Sequence, residues 1–162
     1  MIALGYSAIL TLKIGDRMME LFTVGYAKKS AEEFFGLLKA EKIEVLIDVR
    51  LYNSSQLAGF TKKRDLEYFL LQICGCDYMW ASQFAPSAKL LNDYKNGTID
   101  WNEYEKIYIE LLRGRHNLNF FKRFTGKRIC LLCAEETSGC CHRRLLAEEL
   151  SVVFGNIPIK HL

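Results

Sequence analysis

Two periodicities alternate along the chain. Short, largely apolar runs at residues 20–24, 43–49, 78–80 and 129–133 read as strands, and amphipathic stretches with apolar positions three or four apart lie between them. The run 43–49, Ile-Glu-Val-Leu-Ile-Asp-Val, is apolar at five of seven positions, as a central strand covered on both faces requires. Between the first two runs, Ser30 and Glu33 form a capping-box pattern ahead of Phe34, Leu37 and Leu38, which predicts an amphipathic helix. Strand, helix and strand within about 30 residues make a right-handed βαβ unit.

The alternation continues to the end. Thr61 is the expected cap of a helix with Leu66, Phe69, Leu70 and Ile73 on its core face. A helix over 87–96 is stopped by Gly97, and Asp100 with Glu103 opens another that runs to Arg113. Residues 117–124 read as a brief aromatic helix, 141–150 as the helix after the fourth strand, and a last strand is expected within 152–159. No repeat, linker or low-complexity segment interrupts the series. The pattern predicts an α/β fold: a three-layer sandwich with a mainly parallel central sheet flanked by helices.

Composition narrows this picture without redirecting it. A chain of 162 residues, half apolar and a quarter charged, has the make-up of an ordinary globular protein rather than a disordered one. The formal charge of +3 permits a phosphate-bearing ligand but falls short of a dedicated nucleic-acid binder. Six cysteines in a chain with this much apolar periodicity, and without a secretory signal, read as reduced thiols in a cytoplasmic protein rather than as a disulfide scaffold. Residues 1–18 read as a leader or N-terminal extension that could add an edge strand, and residues 19–162 as a single domain. No segment has the length and apolarity of a membrane span.

Chemistry concentrates in Arg128-Ile-Cys-Leu-Leu-Cys-Ala-Glu-Glu-Thr-Ser-Gly-Cys-Cys-His-Arg-Arg144, which reads as strand, loop and helix start and holds four of the six cysteines. Open α/β sheets bind ligands beyond the carboxyl ends of their strands. Here those ends are Gly25-Tyr26, Asp48-Val49-Arg50, Trp80-Ala81-Ser82 and Cys133-Ala134-Glu135, which a parallel sheet would bring to one rim. Cys130 and Cys133 lie three apart in a strand and so point to opposite faces, which opposes a zinc or redox reading of that pair and leaves Cys130 as a core residue. Cys141 opens a helix, where the partial positive charge favours a thiolate, and Cys133 is the second candidate. His142 is a candidate base, and Glu135 a candidate acid or base. Arg143 in the first helical turn opposes the dipole, so it calls for an anion or a carboxylate partner, and Arg50 leaves its strand toward the same rim. A buried network clamping loops to the sheet is the competing reading of these arginines. Lys62, Lys63 and Arg64 form a basic run that either covers a solvated helix face or extends an anion surface. Cys133, Cys140, Cys141 and His142 offer zinc-ligand types, but adjacent ligands strain a tetrahedral site, so no metal and no cofactor is expected.

Thr23-Val24-Gly25-Tyr26, the helix start from Ser30 to Phe34, Ile47-Asp48-Val49-Arg50, Ser55 with Gly59-Phe60, Cys133-Ala134-Glu135, Cys141-His142-Arg143 and the closing His161-Leu162 together resemble the DUF488 family of bacterial and archaeal proteins. The resemblance covers nearly the whole chain from about Leu21. It implies a compact cytoplasmic α/β domain whose marked positions are Asp48, Arg50, Cys133, Glu135, Cys141, His142 and Arg143. Cys140 stands as an extra beside the family's usual single cysteine. The leading reading is an enzyme acting on a phosphate-bearing small molecule, nucleotide or nucleic-acid end. In it Cys133 or Cys141 is the nucleophile, Glu135 or His142 the acid/base, and Asp48, Arg50 and Arg143 the anion-binding group. The alternative is a non-catalytic binding or regulatory module, possibly nucleic-acid associated, whose polar cluster is structural.

Overall fold

All five strands described in the computed structural model run the same way. β1 (Glu20–Gly25), β2 (Val45–Asp48), β3 (Asp77–Trp80), β4 (Arg128–Cys133) and β5 (Ile159–His161) form one parallel sheet in the order β3-β2-β4-β1-β5. The structure describes residues 18–54, 59–115 and 118–162. The expected leader (Met18 aside), Ser55 and Gln56 of the loop after β2, and Asn117 lie outside the described residues.

Helices cover both faces. α1 (Ala31–Ala40) and α2 (Lys63–Phe69) bury Phe34, Phe35, Leu38 and Leu66 against Phe22, Val24, Leu46 and Leu132 on one side. α3 (Ala88–Lys95), α4 (Trp101–Arg115) and α5 (His142–Val153) bury Leu90, Tyr104, Tyr108, Leu145 and Leu150 against Leu21, Ile47, Ile129 and Leu131 on the other. Burying each such side chain contributes about 1.5–3 kcal/mol, so the two clusters together supply most of the drive to fold. Strand alternation decides which residue joins which cluster. Ile129 and Leu131 face α4 and α5, whereas Cys130 and Leu132 face α1 and α2. Cys130 is therefore a core residue on the opposite face from Leu131, as its spacing from Cys133 requires.

The connections locate the site. From β1 the chain crosses through α1 to β2, past the position later filled by β4. From β4 it crosses through α5 to β5, in the opposite direction past β1. Right-handed crossovers moving in opposite directions lie on opposite faces, so α1 and α5 diverge from adjacent strands. The crevice left beyond the carboxyl ends of β1 and β4 is the switch point at which such sheets bind ligands.

Most expected elements are present, and the caps explain their starts. The Ser30 hydroxyl accepts from Glu33 N at 3.1 Å while the Glu33 carboxylate accepts from Ser30 N at 2.7 Å. Ser87 caps α3, and Asp100 accepts from Glu103 N at the start of α4. Three expectations are corrected. The last strand is not within 152–159: α5 continues to Val153, and left-handed turns at Gly155 and Asn156 carry the chain to a strand at Ile159–His161, paired with β1. Pro158, which cannot donate to a ladder, stands just before that strand rather than in it. Thr61 does not cap α2: it is buried in a 3-10 turn and Lys62 takes the cap position without a side-chain bond. Ile73 leaves the core face because α2 widens into a π-helical turn, Leu70–Cys74, which rotates it out to 41% exposure. The aromatic segment Leu118–Phe124 is a 3-10 helix.

Candidate functional site

Gly25 and Cys133 are register partners at the ends of β1 and β4. Beyond Cys133 the chain turns back over β1 so closely that a Cβ on Gly25 would stand 1.6 Å from the Glu135 carbonyl oxygen. Glycine is needed here for close approach, not for an unusual backbone angle. The Ala134 carbonyl accepts from Ala27 N at 2.9 Å, which ties the same turn to the exit of β1.

The turn ends at Cys141, the extended N-cap residue of α5. Cys133, Cys141 and His142 are all buried, and their sulfur and ring-nitrogen atoms lie within 4.8 Å of one another. Cys133 Sγ is 3.6 Å from His142 Nδ1, and His142 Nε2 is 3.0 Å from the Val49 carbonyl oxygen. A carbonyl only accepts, so Nε2 carries a hydrogen and Nδ1 is the nitrogen that exchanges a proton with Cys133. Tyr108 packs its ring against the imidazole at 5.7 Å, which fixes its plane.

The cluster separates its two thiols electrically. The Cys141 thiol donating to Cys133, and then the His142 charge beside it, hold Cys133 well below the ordinary thiol range despite its burial. Cys141 is pushed far up, first by that same donation and then by burial. Burial alone would lower His142, but the charge on Cys133 together with the hydrogen bonds to Cys133 and the Val49 carbonyl more than offsets it, and the net direction is upward. The helix start that the sequence offered as a reason to favour Cys141 is therefore outweighed by the contact between the thiols. Of the two thiols, Cys133 is the one whose ionisation the surroundings favour. Its donor set, two sulfurs and an imidazole nitrogen, also suits a soft divalent cation.

Arg143 is 1% exposed, and among the described residues its guanidinium donates to two backbone carbonyls and the Cys141 sulfur rather than to the expected carboxylate. Nη1 donates to the Glu135 carbonyl at 2.7 Å and to Cys141 Sγ at 3.3 Å, and Nη2 donates to the Glu136 carbonyl at 3.3 Å. It holds the 133–141 turn to the helix. Arg144 supports the same turn from outside, donating to the Gly139 carbonyl and pairing with Glu148 and Glu105. The Glu135 side chain is exposed at the edge of the turn, and Cys140 is exposed as well.

Asp48 and Arg50 form a second, adjoining network on the α2 side. Arg50 grips Asp48 through Nε at 2.8 Å and Nη2 at 2.6 Å, and Nη2 also donates to the Thr61 carbonyl. The Tyr78 hydroxyl completes the carboxylate's shell at 2.7 Å, and Trp80 Nε1 donates to the Arg50 carbonyl. Burial works against the Arg50 charge, but Asp48 more than offsets it and the guanidinium stays firmly protonated. Among the described residues, Nη1 of Arg50 and Nε of Arg143 are buried without a hydrogen-bond partner. The two networks meet at Val49, whose carbonyl receives His142 while its neighbours in sequence are Asp48 and Arg50.

A pocket of about 430 Å³ opens over both networks, lined by Tyr26, Arg50, Tyr52, Tyr94, Lys95, Trp101, Tyr104, Cys133, Glu135, Cys141 and His142 among others. Of the strand ends expected to converge, Tyr26, Arg50, Cys133 and Glu135 line this pocket, whereas Asp48 and the β3 end at Trp80-Ala81-Ser82 do not, and the aromatic walls were not expected. Trp101, Tyr104 and Tyr108 stand at i, i+3 and i+7 on α4, a spacing that puts them on one helix face without marking that face as a cavity wall. Trp101 and Tyr104 stack at 5.0 Å, and both line the pocket. Lys62, Lys63 and Arg64 line a separate surface depression with Asn53 and Ser54, and Lys63 lies 5.2 Å over the Trp80 ring. They do not join the Cys133 pocket.

The family described as "Domain of unknown function DUF488" matches residues 30–150. No curated protein matches the chain. Among solved structures, a Shewanella putrefaciens CN-32 protein described as "Putative phosphatase (DUF442)" is similar at 15% identity with a TM-score of 0.38, over 87% of this chain and 95% of that one. A likeness at that level carries no argument about this chain. Among the described residues no helix is long and apolar enough to cross a membrane.

Proposed function

The chain belongs to the DUF488 family, and from that premise we propose that it is an enzyme acting on a phosphate-bearing small molecule of the nucleotide class through Cys133. The observation that carries this reading is the Cys133–His142 pair, 3.6 Å apart on the floor of an aromatic-walled pocket. A sulfur beside an oriented imidazole is the arrangement of an activated nucleophile. His142 Nδ1 takes the thiol proton, and Val49 holds the ring in the orientation that this needs. Tyr52, Tyr94 and Trp101 supply faces on which an aromatic base can stack. Lys95 and Arg50 supply positive charge, and Arg50 Nη1 is a buried donor without a partner among the described residues. Glu135, at the exposed edge, is the acid/base group on the leaving side. Arg143 and Asp48 act as positioning residues, because their polar atoms hold the turn and Arg50 rather than the cavity.

Two measurements test this reading. Cys133 should react with iodoacetamide at neutral pH well ahead of the other buried cysteines, as followed by peptide mass mapping. A panel of nucleoside mono- and diphosphates should contain a ligand whose affinity falls when Arg50 becomes Lys or Tyr52 becomes Ala. Alkylation of Cys133 no faster than a free thiol, with no nucleotide bound at millimolar concentration, would leave the cluster as a structural network in a non-catalytic module.

A further inference from the structure

We propose that Cys133, Cys141 and His142 bind a soft divalent cation, zinc for the purpose of experiment, and that the bound cation caps the Cys133 sulfur. The inference rests on reading this cluster as the reactive centre, and it adds a ligand that would hold the enzyme inactive.

Three observations carry it. First, the donor atoms are nearly in place. Tetrahedral zinc with Zn–S near 2.3 Å and Zn–N near 2.0–2.1 Å sets sulfur–nitrogen edges of about 3.6 Å and sulfur–sulfur edges of about 3.8 Å. The observed Cys133 Sγ to His142 Nδ1 distance is 3.6 Å, and no pair in the triad exceeds 4.8 Å. One edge already fits, and the others need at most about 1.2 Å of closure. Second, His142 is oriented as a ligating histidine is. Its Nε2 hydrogen lies on the Val49 carbonyl, which directs the Nδ1 lone pair to the sulfurs. Third, Cys141 Sγ accepts from Arg143 Nη1, whose other contacts are backbone carbonyls, so the second sulfur has a fixed outer partner favouring its charged form.

The adjacency that argues against a zinc site in the sequence is resolved by the cap. Cys141 is extended, with φ −140° and ψ 134°, while His142 is the first helical residue, so two consecutive side chains converge on one point. Cys140 is exposed and takes no part. Cys133, Cys141 and His142 all line the pocket, so the fourth coordination position faces the cavity. Binding forms two metal–sulfur bonds and one metal–nitrogen bond and releases two protons to solvent, leaving a buried centre of zero net charge. Because capping uses the Cys133 sulfur, bound cation and alkylation exclude one another.

Cobalt gives the direct readout. Wild-type protein prepared with chelator and titrated with Co²⁺ should reach saturation near one equivalent with a sulfur-to-cobalt charge-transfer band, and zinc should displace it. Zinc should slow Cys133 alkylation at least tenfold in the same protein, which needs no variant. Cys141→Ser should lose the band, and Cys140→Ser should keep both the band and the zinc protection of Cys133. Absence of the band in wild type, its survival in Cys141→Ser, or alkylation indifferent to zinc would each overturn the cation site. Fast labelling of Cys133 beside a missing band would do so while sparing the nucleophile reading. A band and zinc protection alongside slow labelling of the chelator-treated protein would instead support the site and count against the nucleophile.

Discussion

Replacing Gly25 by alanine tests how the site is held together. The new Cβ would meet the Glu135 carbonyl oxygen at 1.6 Å and its carbon at 2.7 Å, and both are backbone atoms that no rotamer change can move. An ordinary carbon–oxygen contact needs about 3.3 Å, so the 134–136 turn must retreat by about 1.5 Å or more. That shift pulls the Glu135 carbonyl away from Arg143 Nη1, now at 2.7 Å, and the Ala134 carbonyl from Ala27 N, now at 2.9 Å. Overpacking costs about 1–3 kcal/mol, and loss of a hydrogen bond to a charged group about 1.5–3 kcal/mol. The expected destabilisation is about 3 kcal/mol or more, which lowers a urea midpoint by about 1–3 M. Gly36→Ala is the control. It lies within α1 with nothing within 4 Å of the added carbon, and it should gain about 0.5–1 kcal/mol. Equilibrium urea unfolding followed by circular dichroism measures both. A Gly25→Ala protein within about 1 kcal/mol of wild type would refute the claim that this close approach holds the turn.

Two further outcomes follow from the buried groups. Asp48→Ala should destabilise by about 3–5 kcal/mol because it strands the Arg50 charge, 4% exposed, without its carboxylate, whereas Tyr78→Phe, which removes one hydrogen bond to that carboxylate, should cost about 1.5–3 kcal/mol in the same urea assay. Burial pushes the Cys76 thiol up to about 12. The unfolded chain therefore loses that proton near pH 8.5 while the folded one retains it, and stability falls by up to about 1.4 kcal/mol per pH unit from there toward pH 12. Cys76→Ala should flatten that decline between pH 9 and 11, and an unchanged slope would contradict the buried neutral thiol.

Much of the scaffold was legible because its signals are local. Ser30 with Glu33, Ser87 and Asp100 with Glu103 mark helix starts through bonds spanning three residues, and the apolar run of β2 marks a buried strand. Signals that depend on distant partners were not legible. The final strand exists because residues 159–161 lie beside β1, 138 positions away at the Thr23–His161 contact. The π turn that exposes Ile73 leaves no mark in the apolar spacing.

The site divides in the same way. Alternation along β4 by itself separated Cys130 from Cys133, and strand ends by themselves gathered Asp48, Arg50, Cys133 and Glu135 on one rim. The sequence could not say what each charged group touches. Arg143 carries the same charge whether it faces a phosphate or a carbonyl, and only the fold of the 133–141 turn places Glu135 O 2.7 Å from it. Nor could spacing choose between Cys133 and Cys141. That choice follows from which sulfur lies beside His142 and which donates to the other, and those are contacts between β4 and α5. Periodicity is a property of neighbours in the chain, so it set the elements and their faces. Ionisation and hydrogen bonding are properties of neighbours in space, so they waited for the tertiary structure.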